Sequence, residues 1–567
     1  MENQRNVLLI ALIAITAIIY FKWVDFTTPQ NTQQLNNAQV NSANIGTAAQ
    51  ADNIPSVPLG DVTGSSEGAP QVLGSDDALL LPDAQSEQAV DSSKIITVTT
   101  DMVVATINTV GGVIQGLELI KEPISIERKD EGFPLLKQTR SEIFIVEDGL
   151  AAAGEQAPNH KTLYQAQAKN YDLGSGDKVD VVLKWTSETG VNYIKTITFH
   201  RNSYVVDVNY QVNNPTAKTW SGIFYGRFAR TEPQSSGGGF GQLPSFVGGA
   251  TYTEEDKYQK IDFDEIAETK FTKTEKTGWV AMLQHYFVGA WIPDPTNLEF
   301  TTSANNSVYR LGYKHKDLTK VAPGSNGVIS SRLFLGPKEQ SRLKRLEDQN
   351  NINGLALTVD YGWLTFIADP LFSVLSFIHS IVGNWGWAII ILTFLIKAVF
   401  YPLSAASYKS MAGMKKLQPR IQTLKERYKD DRQKFQMEMM ALYKKEKINP
   451  AGGCLPILVQ IPVFIALYWA LLESVEIRQA PFALWWQDLS SPDPYYVLPI
   501  LMGLSMWGMQ KLNPAPMDDI QKKVMAIMPI ALTFLFITFP QGLVLYWVVN
   551  NILSGAQQWF INKKHAV

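Results

Sequence analysis

Hydrophobic and polar residues follow two different patterns along this chain of 567 residues. Within residues 94–340, apolar positions recur with a period of two in short runs that Gly and Asn separate, which is typical of strands and turns. Runs such as KIITVTTDMVVATIN, YIKTITFH and YVVDVNYQV predict a large antiparallel β-sandwich. Beyond residue 384, long apolar runs replace this alternation and predict membrane-spanning helices.

Six apolar runs are candidates for transmembrane helices. The first, within residues 1–26, follows a single Arg and lacks a small-residue cleavage site, so we expect an uncleaved anchor rather than a signal peptide. A second span at 384–403 and four further spans within 450–561 predict a five-helix core. The core runs are Trp385–Leu403, Leu455–Leu472, Tyr495–Gln510, Val524–Phe539 and Leu543–Ile561.

Three other segments connect or flank these regions. Residues 27–93 are rich in Gln, Asn, Ser, Ala, Gly and Pro, which predicts a flexible linker because they bury too little apolar surface to offset chain entropy. Residues 361–383 predict an amphipathic helix on the membrane surface. Residues 404–449 predict a helical hairpin, since apolar residues recur at helical spacing on both sides of Asp430 and Asp431. Those residues are Met414, Leu417, Ile421, Leu424 and Tyr428, then Phe435, Met439 and Leu442.

Composition and charge support a membrane protein with polar domains. Charged residues make up 18% of the chain, against about 25% in an average globular domain, and a mean hydropathy of −0.05 excludes a chain embedded throughout. Residues 404–449 carry twelve Lys and Arg against five acidic residues, whereas 473–494 carry one Arg against four. The positive-inside rule therefore predicts cytoplasmic termini, including a short tail at 562–567, a cytoplasmic hairpin and a β domain on the outer side. The net charge of −3 excludes a generally basic, DNA-coating protein.

No enzyme signature is found in the sequence. Cys454 is the single cysteine, so no disulfide forms within one chain. We expect no nucleophilic role for it because no His lies in a spanning run. The six His lack the spacing of metal ligands, and no two carboxylates share a motif. The sequence therefore predicts no catalytic activity, no cofactor and no metal.

Lys397 is the most informative single residue, because a lysine inside a spanning run costs about 2.5–3.5 kcal/mol on insertion scales. Snorkelling requires a long reach, since Lys397 precedes the end of its run by six residues. Pairing is disfavoured because no other run carries Asp or Glu in its interior. We favour the remaining option, a water-filled cavity within the bilayer.

Other polar residues fit such a cavity. Thr393 lies one turn before Lys397 on the same helix face, and Gln460 lies inside the next run. The last run carries a stripe at helical spacing, formed by Trp547, Asn550, Ser554 and Gln557. These residues could instead be interhelical hydrogen-bond partners that contribute about 0.6 kcal/mol each. The stripe together with Lys397 favours a hydrated groove.

The chain resembles the YidC family of membrane protein insertases, in its Gram-negative form with a large periplasmic domain. The resemblance covers essentially the whole chain and is strongest over FIHSIVGNWGWAIIILTFLIKAVFYPLSAASYKSM, LQPRIQ, EMMALYKKEKINPAGGCLPILVQIPVFIALYWALLESVEIRQ and FPQGLVLYWVV. It implies a multi-domain integral membrane protein with six transmembrane helices, a periplasmic antiparallel β-supersandwich and a cytoplasmic hairpin. It also implies a groove in which Lys397 stands where relatives usually have Arg, Trp547 stands where they often have Tyr, and Thr393 and Gln460 match groove positions.

The resemblance further implies a function: insertion and folding of nascent inner-membrane proteins, alone or with the Sec translocon. The implied partners are these clients, the translocon, anionic lipids, and the ribosome and a targeting receptor at the hairpin. Two alternatives remain open from the residues themselves. Lys397 could be the substrate or gating charge of a transporter or channel, although no internal repeat is present. The β domain could belong to an envelope sugar-binding protein.

Overall fold

The computed structural model describes residues 94–565, apart from 234–244, 269–270, 430, 447, 450–454 and 514–518. The described residues divide into two compact units, one ending at Thr358 and the other beginning at Val359. The anchor predicted for 1–26, the linker predicted for 27–93 and Cys454 lie outside the described residues.

The first unit is rich in β-sheet, as predicted. Its strands are β1 (Ile95–Thr99), β2 (Val103–Asn108), β3 (Val113–Pro123), β4 (Gly132–Gln138), β5 (Ile143–Ala152), β6 (Gln165–Ala166), β7 (Asn170–Asp172), β8 (Lys178–Thr186), β9 (Asn192–His200), β10 (Val205–Asn214), β11 (Trp220–Thr231), β12 (Gly248–Thr253), β13 (Lys257–Ile261), β14 (Thr272–Glu275), β15 (Gly278–Leu283), β16 (Phe287–Pro293), β17 (Leu298–Asn305), β18 (Val308–His315), β19 (Thr319–Val321) and β20 (Ser325–Pro337). Two short helices accompany them, α1 (Phe263–Glu268) and α2 (Gln340–Asn350).

These strands form two sheets. An 11-stranded sheet has the order β14-β17-β18-β11-β5-β4-β3-β2-β1-β7, with β19 beside β11. A 9-stranded sheet has the order β13-β12-β15-β16-β20-β10-β9-β8-β6. Among the described strands, β1 and β7 pair in parallel and the other pairings are antiparallel. Nine of the 19 pairs of consecutive strands are neighbours in a sheet, and the other connections cross between strands that do not pair.

Alternation of buried and less buried residues places one face of each sheet in a shared core. Along β10 every second side chain is buried, namely Val206, Val208, Tyr210 and Val212. Phe224 of the 11-stranded sheet meets Trp291 and Tyr210 of the 9-stranded sheet, with ring centroids 5.9 Å apart in both pairs. The two sheets therefore pack face to face over an aromatic core.

A charged pair also crosses this core. Lys195 of β9 and Asp148 of β5 are 0% and 1% exposed, and Lys195 Nζ lies 2.8 Å from Asp148 Oδ1. Tyr210 donates a hydrogen bond of 2.7 Å to the same carboxylate, and Lys195 also donates to the Gly112 carbonyl at 3.0 Å. Burial lowers the pKa of Lys195, while the Asp148 charge opposes that shift. The ammonium is thus fully surrounded by protein acceptors.

The second unit is helical. Its helices are α3 (Thr365–Val382), α4 (Trp385–Val399), α5 (Tyr401–Arg427), α6 (Arg432–Lys445), α7 (Leu455–Glu473), α8 (Val497–Gln510), α9 (Asp519–Phe536) and α10 (Gln541–His565). Among the described residues, one helix, Gly362–Val382, is long and apolar enough to cross a membrane alone. Helices α4 and α5 meet that criterion only together, and they are bent by 69°. The six predicted spans therefore stay a prediction.

The break between α4 and α5 differs from the sequence prediction of one span over 384–403. Helix α4 ends at Val399, and α5 starts at Tyr401 with Pro402 in its first turn. Proline has no N–H to donate, and its ring clashes with the carbonyl of the residue four positions earlier, here Ala398. A continuous helix through Phe400 is therefore disfavoured, and Pro402 is instead accommodated where a helix begins.

Helix α3, predicted as an amphipathic surface helix, is apolar on both faces. Its inner face buries Ala368, Phe372, Leu375 and Ile378. Its outer face exposes Phe366, Phe377 and Ile381 by 71%, 65% and 70%. Such an exposed apolar face is suited to lipid or to another protein surface rather than to water. Its surface orientation remains a prediction.

Helices α5 and α6 pack against each other across the turn that follows Tyr428. Leu417, Ile421 and Tyr443 are buried between them, with Met414, Phe435 and Met439 packed against this cluster. Arg420 Nη1 meets Glu446 Oε1 at 2.8 Å, so the end of α6 lies beside the second half of α5. The sequence pattern found most of this seam but missed Tyr443.

Candidate functional site

Lys397 lies in the last turn of α4, two residues before the helix ends at Val399. The sequence argument against snorkelling assumed a helix that continues to Leu403, and the helix break at Phe400 removes that assumption. What distinguishes Lys397 is therefore where its ammonium group points rather than its distance from the end of the run.

The ammonium group of Lys397 points at helix α10. Its Nζ donates a hydrogen bond of 2.7 Å to Ser554 Oγ, which in turn donates to the Asn550 carbonyl at 2.6 Å. Within the described part of the chain, no carboxylate lies within 4.0 Å of Lys397 Nζ. The charge is therefore held by a neutral hydroxyl and is not neutralised.

Two further predicted residues extend this network to helix α7. Gln460 Nε2 donates to Asn550 Oδ1 and approaches the Tyr546 hydroxyl at 3.4 Å. These contacts join α4, α10 and α7. Lys397, Ser554 and Gln460 take part through their side chains, and Asn550 accepts through both its backbone carbonyl and its side chain. We call these four residues and Tyr546 the polar network.

The other predicted groove residues do not join it. Thr393 is 1% exposed, and its hydroxyl donates to the Ile389 carbonyl of its own helix at 2.7 Å. Trp547 packs edge-on between Phe464 and Phe536, with ring centroids 4.5 and 4.9 Å away. The Thr393 hydroxyl therefore has its hydrogen-bond partner within its own helix. Trp547 contributes an apolar surface beside the network. The stripe's fourth member, Gln557, has a buried Nε2 without a hydrogen-bond partner among the described residues.

Sequence reasoning missed a second set of polar contacts on α10. Asn551 donates to Ser505 Oγ at 3.1 Å, and Gln558 donates to Asn513 Oδ1 at 2.8 Å, so a polar seam joins α10 to α8. Asn551 and Gln558 are seven residues apart, which is two helical turns, so this spacing could have found them. Tyr546 was also missed; it is 1% exposed and adjoins the predicted stripe.

The chemistry that the network offers is electrostatic attraction and hydrogen bonding. It presents one cation, two amides and two hydroxyls, which suits a polar or acidic polypeptide segment. Among the described residues, no group of three or more His, Cys, Asp or Glu is placed to hold a metal ion. Apolar faces adjoin the network, since Phe394, Leu395 and Val399 of α4 are 55%, 46% and 74% exposed. A polar site therefore lies beside surfaces suited to lipid or to an apolar helix.

Comparison with protein families gives two matches that together cover most of the chain. A family described as "YidC periplasmic domain" matches residues 95–374. A family described as "60Kd inner membrane protein" matches residues 377–566. The first match contains the β-sheet unit, and the second contains the polar network.

Individual proteins are similar over comparable lengths. The "Membrane protein insertase YidC" of Nitrosococcus oceani is 44% identical over 568 residues, covering 100% of this chain and 99% of that protein. The protein of the same name from Methylobacillus flagellatus is 50% identical over 484 residues, covering 85% and 86%. A solved structure, "Active YidC insertase crystal structure with the first transmembrane domain resolved", is 19% identical with a TM-score of 0.37, covering 82% of this chain and 92% of that one.

Proposed function

Since this chain belongs to the YidC family of membrane protein insertases, we propose that the polar network around Lys397 receives the polar segment of a client during insertion. The chain is a membrane protein insertase with a periplasmic domain and is not an enzyme. The relatives are named insertases rather than transporters or sugar-binding proteins, so neither alternative raised by the sequence is supported.

One observation carries the proposed site: Lys397 is a cation with no carboxylate partner within 4.0 Å in the described part of the chain. A client's Asp or Glu supplies the missing counter-charge, and Ser554 can exchange its lysine contact for one with the client. Gln460 and Asn550 offer further hydrogen bonds. These contacts matter because an unpaired polar group in hydrocarbon costs several kcal/mol.

The apolar helix of the client moves along neighbouring surfaces into lipid. We assign this path to α4, α7 and α9, since α9 exposes Val524, Ile527 and Phe534 by 56%, 61% and 71%. The membrane potential assists an acidic tail that moves to the positive outer side, by about 2.3 kcal/mol per charge per 100 mV. Neither a nucleotide nor covalent chemistry is required for this mechanism.

Orientation and partners complete the proposal. The basic segment 404–449 lies in the cytoplasm together with both termini, and six helices span the inner membrane. The α5–α6 hairpin meets the ribosome and a targeting receptor, and its positive charge also suits anionic lipids. The Sec translocon is a further partner for clients that need both the translocon and the insertase. Charge distribution and family membership support this arrangement.

A charge series at Lys397 tests the site. In cells depleted of their own insertase, Lys397→Arg should restore insertion of a client with an acidic tail, because the charge is kept. Lys397→Glu should abolish that insertion without loss of the protein, because it repels the tail. Lys184→Glu is the matched control, since Lys184 is an exposed residue of β8 in the other unit. Normal insertion by the Lys397→Glu variant would refute the attraction.

Cysteine accessibility tests whether water reaches the polar network. With Cys454 replaced, single cysteines along 385–403 and 543–561 are treated with a membrane-impermeant thiol reagent from the cytoplasmic side. We expect labelling at 397 and 554 and none at Ile552, which is 57% exposed on another face of α10. Protection of both 397 and 554 would exclude a hydrated groove.

A further inference from the structure

Helices α8 and α10 each end in a tryptophan followed four residues later by a lysine. Lys511 Nζ lies 3.8 Å from the centre of the Trp507 ring, and Lys563 Nζ lies 5.4 Å from that of Trp559. Residues four apart share a helix face, and an ammonium group over an indole ring is attracted by the ring's π-electrons. We call these four residues the lysine–tryptophan pairs.

The two pairs lie at the same level of the helical unit. Gln558 of α10 donates to Asn513 just after α8, and Asn562 donates to the Leu512 carbonyl at 3.5 Å. These contacts place the end of α8 beside the last turns of α10. Two helices therefore present the same pair of side chains at one end of the unit.

The exposed residues before each pair are apolar. On α8, Ile500, Leu504 and Trp507 are 51%, 59% and 53% exposed, and Lys511 follows. On α10, Ile552 and Trp559 are 57% and 55% exposed, and Lys563 follows. An order of aliphatic residue, tryptophan and lysine matches the passage from hydrocarbon through the interface to the headgroups. This order is the one expected where two lipid-facing surfaces reach the level of the headgroups.

We propose that the lysine–tryptophan pairs bind the phosphate headgroups of anionic phospholipids. Each ring holds its ammonium against the helix, while the N–H groups that point away from the ring remain available to phosphate oxygens. In the described part of the chain, no carboxylate lies within 4.0 Å of either ammonium. A lipid phosphate is therefore the anion that the position, the charge and the flanking apolar surface fit together.

The distribution of charge indicates which end of the helical unit attracts anionic headgroups. The segment at the opposite end, 473–494, carries four acidic residues against one Arg. Asp488 and Asp493 of that segment accept backbone N–H bonds, from Gln479 at 2.9 Å and from Leu498 at 2.8 Å. Anionic lipid is therefore attracted to the end with the lysine–tryptophan pairs and not to the other. This site is separate from the polar network and does not depend on its role.

Lipid titration of the full-length protein in detergent tests the proposal. Phosphatidylglycerol is added, and binding is followed by the rise in melting temperature and by native mass spectrometry. One basic residue near an anionic surface changes affinity about fivefold, so Lys511→Gln with Lys563→Gln should weaken binding at each pair about fivefold. Lys184→Gln with Lys320→Gln, two exposed lysines of the β-sheet unit, is the matched control and should change it less than twofold.

Two further arms decide the chemistry. Lys511→Arg with Lys563→Arg should keep phosphatidylglycerol affinity within about twofold, and the melting temperatures of both double variants without added lipid show that each one folds. Soluble glycerol phosphate should not displace the lipid, because it lacks the acyl chains that contact Ile500, Leu504 and Ile552. Unchanged phosphatidylglycerol binding by the double Gln variant, or equal displacement by glycerol phosphate, would overturn the proposal.

Discussion

The β-sheet unit and the helical unit each place a lysine side chain among other residues, but they stabilise its charge in opposite ways. Lys195 is 0% exposed and has a carboxylate, Asp148, at 2.8 Å. Lys397 is half-buried, and its ammonium donates to the neutral hydroxyl of Ser554 at 2.7 Å. A buried charge that has a counter-ion stabilises the fold, whereas a charge that has no counter-ion is available to bind a partner.

This difference separates structural from functional polarity. Breaking a buried ion pair costs about 3–5 kcal/mol because one charge remains without a partner in a low-dielectric interior. A partly exposed lysine keeps access to water and loses much less when its neighbours change. Substitutions around Lys195 should therefore unfold the β-sheet unit, whereas those around Lys397 should change insertion more than stability.

The largest effect is expected from Asp148→Ala. It leaves the Lys195 ammonium buried without a counter-ion, so the free energy of unfolding should fall by about 3–5 kcal/mol. Glu131→Ala is the control: Glu131 pairs with Arg128 at 3.2 Å, but both side chains are 55% exposed, so the loss should be below about 1 kcal/mol. Thermal and denaturant unfolding of the full-length protein in detergent measures both, and equal losses would contradict the comparison.

A smaller, pH-dependent effect is expected from Glu147→Gln. Glu147 and Arg227 face each other on β5 and β11, with Oε2 and Nε 2.6 Å apart. Burial opposes the charged form, but Arg227, His160 and Arg310 outweigh it and hold the pKa of Glu147 below its usual 4.5. Because the native pKa is lowered, the stabilisation is complete above pH 4.5 and is lost as the pH falls through the native pKa.

The measurement for Glu147 is therefore a pair of stability–pH curves. At pH 7 the Gln variant should be about 2 kcal/mol less stable, in the range of a hydrogen bond to a charged group. The two curves should converge as the pH falls below the lowered native pKa of Glu147. A difference in the free energy of unfolding that stays constant across the pH range would show that the charge of Glu147 is not its cause.

Local structure could be predicted from the sequence because it depends on spacing within one segment. The alternation in YVVDVNYQV corresponds to β10, and the stripe at Asn550 and Ser554 meets Lys397 and Gln460. The alternation along β9 also predicts that Lys195 is buried. Tyr193, Ile197 and Phe199 point from β9 into the core between the sheets. Lys195 lies on the same face of the strand, so its side chain must point inward as well.

The remaining features depend on contacts between distant segments. Asp148 and Lys195 are 47 residues apart, and sequence spacing does not reveal such a partner. Thr393 has the right face to meet Lys397 but bonds its own helix, since a buried Thr hydroxyl can reach the carbonyl four residues earlier. The break before Pro402 was predictable from proline chemistry, and the long apolar run concealed it.

In the helical unit, Ser554→Ala should reduce function more than stability. It removes the acceptor that positions the Lys397 ammonium, and insertion of an acid-tailed client should slow about fivefold, equivalent to about 1 kcal/mol. The melting temperature should change little. Ser505→Ala is the matched control, because Ser505 accepts from Asn551 in the α8–α10 seam, away from Lys397. Equal slowing in both variants would mean that Ser554 has no special role beside Lys397.

The smallest effect concerns the contact between Gln460 and Asn550, and it sharpens the comparison with Lys195 most directly. Interhelical hydrogen bonds in membranes average about 0.6 kcal/mol, because the separated helices also find polar partners. A double-mutant cycle of Gln460→Leu and Asn550→Leu, measured by reversible unfolding in mixed micelles, should give a coupling energy near that value. A weak contact can be exchanged for a client's polar groups at little cost, as insertion requires. A coupling above about 2 kcal/mol would instead make the polar network a fixed structural element like the pair of Lys195 and Asp148, and the client would then need another route.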